Sequence, residues 1–241
     1  MKHQPLPDAR IPTIYKYIPE QYVDGFLRSG GLLFRSLSYF KAYEEQQVRG
    51  DKHEGTRLHN KPEGLTLTKV NSGESLVFNG SFESTVQTDD IMVFCLSTSL
   101  SADLAHDFGA NTCIEIHNPA MLIAGIRAAL QRRSAIKNKN LIHAAVRYYD
   151  PSDNVGIEWA FPDRIALSKT KHYEKQKEYR IAFGLNNALS FENTSLRLVA
   201  NDHKEVHKLA NHREILLKIG DLRRCCTVWQ FDPDGNPIKK T

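Results

Sequence analysis

Thr13 to Ile18 is rich in β-branched and aromatic residues and predicts a first strand. Pro19-Glu20 then opens an amphipathic stretch in which Tyr22, Phe26 and Leu27 recur at helical spacing, until Gly30-Gly31 stops it. Leu32 to Ser36 resumes as an extended run, so the chain begins as a strand-helix-strand unit. Tyr39 to Gln47 fits a helix, whereas Val48 to Pro62 is polar, charged and aperiodic and predicts a long exposed loop. Leu65 to Val70 and Ser75 to Phe82 flank Asn71-Ser72-Gly73 as a hairpin, and Ile91 to Leu96 is an apolar strand suited to the centre of a sheet.

Further on, Thr112 to His117 alternates, Pro119 to Arg133 predicts a helix, and Ile142 to Tyr149 predicts a returning strand. A helical piece over about Trp159 to Leu167 precedes a basic loop and a strand, Glu178 to Phe183, closed by Gly184. Leu196 to Val199 and Ile215 to Ile219 predict later strands. Strands outnumber helices and hairpins join several of them, which is the α+β pattern: a split, largely antiparallel sheet with flanking helices. No repeat or compositional boundary divides the chain, so residues 1–241 are expected to form a single domain.

Composition narrows the class. With 241 residues, 41% hydrophobic and 25% charged, the chain can bury a core. No apolar run approaches the roughly 18 residues of a membrane span, and Met1-Lys2-His3-Gln4-Pro5 lacks the apolar centre of a signal peptide, so a cytoplasmic protein without membrane contact is expected. The four cysteines form no Cys-x-x-Cys pair and are expected to be free thiols, mostly buried. The formal charge is only +4, but cations gather at Arg132-Arg133, Lys137 and Lys139, and again between Lys169 and Lys177. Such runs are commonly solvated faces; a polyanionic partner is the alternative.

Three separated features carry candidate chemistry: Tyr15-Lys16-Tyr17, Ser97-Thr98-Ser99 and Gln176-Lys177-Glu178. In order and spacing they resemble the ADP-ribosyltransferase superfamily, with its basic or aromatic first strand, Ser-Thr-Ser strand end and Gln/Glu-x-Glu before a late strand. The resemblance covers about residues 13 to 184. The chain also looks like an uncharacterised bacterial family that opens on Tyr-Lys-Tyr and closes on Glu-aromatic-Arg, here Glu178-Tyr179-Arg180. Its front, through Gly30-Gly31-Leu32, is similar to bacterial toxins that ADP-ribosylate DNA.

That resemblance implies an NAD-dependent mono-ADP-ribosyltransferase, a toxin of toxin-antitoxin type or a phage-defence effector, modifying nucleic acid or protein. It implies Glu178, Gln176 and Ser97 as the catalytic set, and Tyr15, Lys16, Tyr17, Arg35, Thr98, Ser99 and Tyr39 as NAD-binding residues. Lys16 stands where many members carry Arg, so Lys16 and Arg35 are rivals for the diphosphate. Lys171, Tyr173 and Lys175 fall on the expected target-recognition loop. Gln176 in place of a first glutamate implies an acceptor other than arginine, and no metal is implied.

The residues support part of this directly. Strand alternation puts Glu178 and Arg180 on the face opposite Tyr179, Ile181 and Phe183. A carboxylate can stabilise the oxocarbenium-like state of nicotinamide–ribose cleavage, and nicotinamide leaves neutral without an acid to protonate it. The plainer roles are a surface salt bridge of Glu178 with Arg180 or Lys177, a helix cap at Ser101, core packing for the aromatics and an ordinary exposed loop at Lys169 to Lys175. Two other functions fit: an inactive nucleic-acid-binding or interaction protein of the same fold, and a metal-independent nuclease using His172 with Glu174 or Glu178. His203 and His207, four apart, read as a surface pair, and Asp232 to Asn236 as a turn.

Overall fold

In the computed structural model, residues 11–43, 53–137, 139–201 and 212–240 are described. The first strand, β1 (Ile14–Ile18), gives way at Pro19 to a 3-10 turn and then α1 (Val23–Ser29), which buries Phe26. Gly30 ends that helix in the left-handed region at φ +59°, where a Cβ would run into the carbonyl of Gly220. The chain continues through β2 (Gly31–Ser36), α2 (Leu37–Tyr43), β3 (Thr56–Asn60), the β4 (Leu65–Thr68) and β5 (Ser75–Phe78) hairpin, and β6 (Gly80–Thr85). The apolar β7 (Ile91–Ser97) follows, then α3 (Ala102–Asp107), β8 (Thr112–Ile116) and α4 (Pro119–Gln131), the last started by Pro119 and an Asn118 cap. The remainder comprises β9 (Leu141–Ala145), β10 (Arg147–Tyr149), α5 (Pro162–Ala166), β11 (Ser168–Thr170), β12 (Glu178–Gly184), β13 (Ser195–Ala200), β14 (Glu214–Lys218), β15 (Cys226–Phe231) and β16 (Pro237–Lys240).

This is a mixed α+β protein whose strand pairs are mostly antiparallel, with few helices. Its contacts divide into two compact units: Met1–Leu32, Cys95–Arg133 and Leu216–Thr241 in the first, Leu33–Phe94 and Ser134–Ile215 in the second. In the first unit β1 pairs with β8 over its whole length and with the end of β7 through Tyr15 and Ser97, while β15 pairs with β8 and β16. Tyr17 of β1 and Cys113 of β8, opposite each other in register, join Leu104 and Ala105 of α3 and Ala110 in one apolar cluster, with Trp229 and Phe231 packed against it. In the second unit β12 pairs with β9, β6 lies between β3 and β13, and β10 runs parallel to β11. Phe34 packs its ring against Phe94 and Phe183 at centroid distances of 5.5 and 5.1 Å.

Several expectations need correction. The segment expected as an exposed loop contains β3, with Glu54, Thr56, Arg57 and His59 buried. It escaped notice because Leu58 is the single large apolar side chain in the strand, so no period-2 signal exists. The strand expected over Ile142 to Tyr149 is two strands, because the chain changes partners at its midpoint: the Val146 N–H donates to the Glu178 carbonyl and the Arg147 N–H to that of Leu167. The helical piece near Trp159 is likewise divided, into a 3-10 turn (Ile157–Ala160) and α5, because Phe161 is extended ahead of Pro162. β15 and β16 form a hairpin that the pattern missed, turning at Asp232 to Asn236 as expected. The end of the Tyr39 to Gln47 helix, Val48 to Lys52, and the pair His203 and His207 lie outside the described residues.

Candidate functional site

Side-chain chemistry concentrates in the second unit around β11 and β12. Between them Lys171–Gln176 form a 3-10 turn, and Lys177 reverses the chain with φ +46°, a left-handed conformation that costs a non-glycine residue about 1–2 kcal/mol. The reversal brings three side chains within nine residues of sequence onto one ammonium. Lys169 Nζ lies 3.0 Å from Gln176 Oε1 and 2.9 Å from Glu178 Oε2, and sits 5.2 Å from the centroid of the Tyr173 ring. Lys169 is 4% exposed, so this is a buried cation and not part of a solvated basic loop.

Arg180 completes the cluster. Its five N–H donors are aimed at two carboxylates and one carbonyl. Nε and Nη2 reach Glu178 at 2.7 and 3.3 Å, Nη1 and Nη2 reach Glu54 at 2.5 and 2.8 Å, and Nη1 also donates to the Ala166 carbonyl at 2.7 Å. Glu54, Glu178, Lys169 and Arg180 are all buried, and two carboxylates balance two cations. Neutrality matters here, because an uncompensated charge taken out of water costs several kcal/mol.

Burial alone would push the Glu178 carboxyl up, but Arg180 and then Lys169, by charge and by hydrogen bonds, hold it well below the ordinary carboxylate range. Glu178 is therefore ionised at neutral pH. Its backbone N–H donates to the Tyr148 hydroxyl at 2.8 Å, and burial carries that phenol up to about 12. Among the described residues, Oε2 of Glu178 receives two donors and Oε1 receives one. A carboxylate oxygen offers about two acceptor sites.

Two of the three expected catalytic residues, Gln176 and Glu178, thus meet through Lys169, and the expected Tyr173 stands beside the same ammonium. Lys171 and Lys175 are exposed on the turn. Arg35 makes an ion pair with Glu214 at 2.9 Å and lies 4.1 Å from the centroid of Tyr39, so these two expected NAD-binding residues contact each other. The salt bridge of Glu178 with Arg180 exists, but in the interior and not at the surface.

The remaining expected residues belong to the first unit and have structural partners there. Tyr15 is opposite Ser97 in register, and Lys16 Nζ donates to the Cys95 carbonyl at 2.8 Å. The Tyr17 hydroxyl donates to the Ser99 carbonyl and accepts from the Ser101 N–H, both at 2.7 Å. Ser97 is buried and its Oγ accepts from the Ser99 N–H at 3.2 Å, while Thr98 is half-buried. Ser101 caps α3 as expected, accepting from the Leu104 N–H.

Sequence reasoning missed Glu54 and the interior position of Lys169. Glu54 lies 126 residues before Arg180, and no local pattern links them. Gly55, at φ +68°, marks a turn next to Glu54 but not its burial. Among the described residues no group of three or more His, Cys, Asp or Glu could hold a metal ion, and no helix is long and apolar enough to cross a membrane. The cysteines are free thiols, with Cys113 and Cys225 buried and Cys95 and Cys226 half-buried. No family model matches the chain, and neither a curated protein nor a solved structure matches it.

Proposed function

We propose that the protein is an NAD-dependent mono-ADP-ribosyltransferase, ADP-ribosyltransferase-like in fold, in which Glu178 stabilises the ribosyl cation. The observation that carries this reading is a carboxylate shielded from water, ionised at neutral pH, with one oxygen that takes a single donor. In low-dielectric surroundings a fixed negative charge stabilises a developing cation far more than it would in water. The bond between nicotinamide and ribose C1′ breaks, nicotinamide departs neutral with the bonding pair, and a nucleophile of the acceptor bonds to C1′ and loses its proton to solvent.

Gln176 and Lys169 hold Glu178 in place, and Gln176, an amide, cannot serve as a base. In this reading the ribose end of NAD lies against Glu178. Its diphosphate does not fall to Lys169 or Arg180, which are engaged by Glu54, Glu178, Gln176 and Ala166. The exposed Lys171 and Lys175 on the neighbouring turn are the cations this reading gives to it.

The same exposed lysines favour a second reading, an inactive nucleic-acid-binding protein. Incubation with labelled NAD and mixed RNA, DNA and protein, comparing wild type with Glu178→Gln under conditions where both are folded, separates the two. Nicotinamide release that falls by orders of magnitude in the variant supports the transferase. Absence of release from folded wild type, together with salt-sensitive nucleic-acid retention abolished by Lys171→Ala and Lys175→Ala, supports the binding protein.

A further inference from the structure

A second cationic feature lies in the first unit, unrelated to the Glu178 cluster. The C-terminal end of α4 and strand β14 enclose an open groove of about 380 Å³ lined by Ala129, Arg132, Arg133, Leu216, Leu217 and Lys218. Two contacts join the helix to the segment opposite. Gly125, one turn before Ala129, lets α4 approach so closely that an added Cβ would stand 3.1 Å from the Ile219 side chain. Within the lining, Arg133 Nη2 donates to the Leu216 carbonyl at 2.7 Å, which anchors the guanidinium over the strand.

The lining holds three cations and no carboxylate. Arg132 and Lys218 are exposed, and among the described residues neither has an ion-pair or hydrogen-bond partner on its side chain. Like charges gathered around one concavity repel each other unless an anion sits between them. The apolar part of the lining, Ala129, Leu216 and Leu217, contains no aromatic ring on which a base could stack. Recognition would therefore rest on phosphate charge, with no reading of base identity.

We propose that this groove holds the phosphodiester backbone of nucleic acid, through Arg132, Arg133 and Lys218, without sequence preference. Arg133, already oriented by the Leu216 carbonyl, fixes the position of one phosphate; Arg132 and Lys218 flank it. The assignment does not depend on NAD chemistry.

The test is fluorescence anisotropy with a labelled 20-base-pair DNA and a labelled 20-nucleotide RNA, each in two unrelated sequences, titrated at several salt concentrations. The variant is Arg132→Gln with Lys218→Gln, two exposed positions that leave the Arg133 anchor intact. Each lost phosphate contact lowers the slope of log affinity against log salt by about 0.9 for duplex DNA or about 0.7 for single strands. The double variant should therefore lose about 1.8 or about 1.4 of slope, equally for both sequences, with an unchanged melting temperature. The same loss should appear in a Lys171→Ala, Lys175→Ala background, which separates this groove from the turn in the other unit. Equal slopes for wild type and variant would overturn the proposal. So would a slope difference confined to one sequence, or binding to anionic phosphatidylserine vesicles or tripolyphosphate but to neither nucleic acid.

Discussion

Glu178→Gln leaves a near-isosteric side chain in the same space and removes one negative charge, so the buried cluster goes from two carboxylates and two cations to an excess of one positive charge. Lys169→Met creates the opposite excess. Removing one member of a buried pair costs about 3–5 kcal/mol, mostly because its partner is left uncompensated. For a chain of this size that is a fall in melting temperature of roughly 6–20 °C, at about 2–4 °C per kcal/mol. Across the 2.9 Å contact the gross attraction is about 5–6 kcal/mol at an effective dielectric constant of about 20. The double variant Glu178→Gln, Lys169→Met restores neutrality and keeps the two-point contact between Glu54 and Arg180. Its cost should therefore fall short of the summed single costs by at least about 2 kcal/mol. Urea melts of the four proteins at pH 7, read as midpoint times slope, measure this coupling. Additivity within about 0.5 kcal/mol would refute the idea that charge balance governs the cluster. The measurement also defines the conditions under which Glu178→Gln is folded, which the activity comparison requires.

Glu178 has a lower pKa in the folded than in the unfolded protein, so its stabilisation is complete above the unfolded value of about 4.3 and is lost as the pH falls through the folded value. Melting midpoints should drop below about pH 4–5, and by a smaller amount in the Glu178→Gln, Lys169→Met double variant. Gly30→Ala should lower stability by more than the about 1–2 kcal/mol of left-handed strain, because the added methyl also meets Gly220; a urea melt checks it. Burial pushes the Cys113 thiol up to about 12 and seals it from solvent, so at pH 8 a disulfide-exchange reagent should modify it slowly in the native protein and rapidly in urea.

Local pattern specified most of the elements. The β-rich run at β1, the glycine stop of α1, the Asn-Ser-Gly hairpin, the apolar β7, the Ser101 cap and the long α4 all depend on residues a few positions apart, where side-chain period and capping chemistry act. The same short-range logic put Glu178 and Arg180 on one side of β12, and they do bond there. It failed where burial is decided by distant partners. Glu54, Arg57 and Lys169 read as loop charges because polar side chains signal solvent unless a counter-charge waits inside.

The sequence alone thus determined the α+β class, most strand positions and which side chains of β12 share a face. Tertiary structure decided that the turn ahead of β3 carries Glu54 into the interior, that the left-handed turn at Lys177 folds Gln176 and Glu178 back onto Lys169, and that Arg180 joins Glu178, on its own strand, to Glu54, 126 residues before it in sequence. The reason is energetic. Strand and helix periods are written into neighbouring residues, whereas a charge becomes tolerable in the interior only after the whole chain has delivered its opposite.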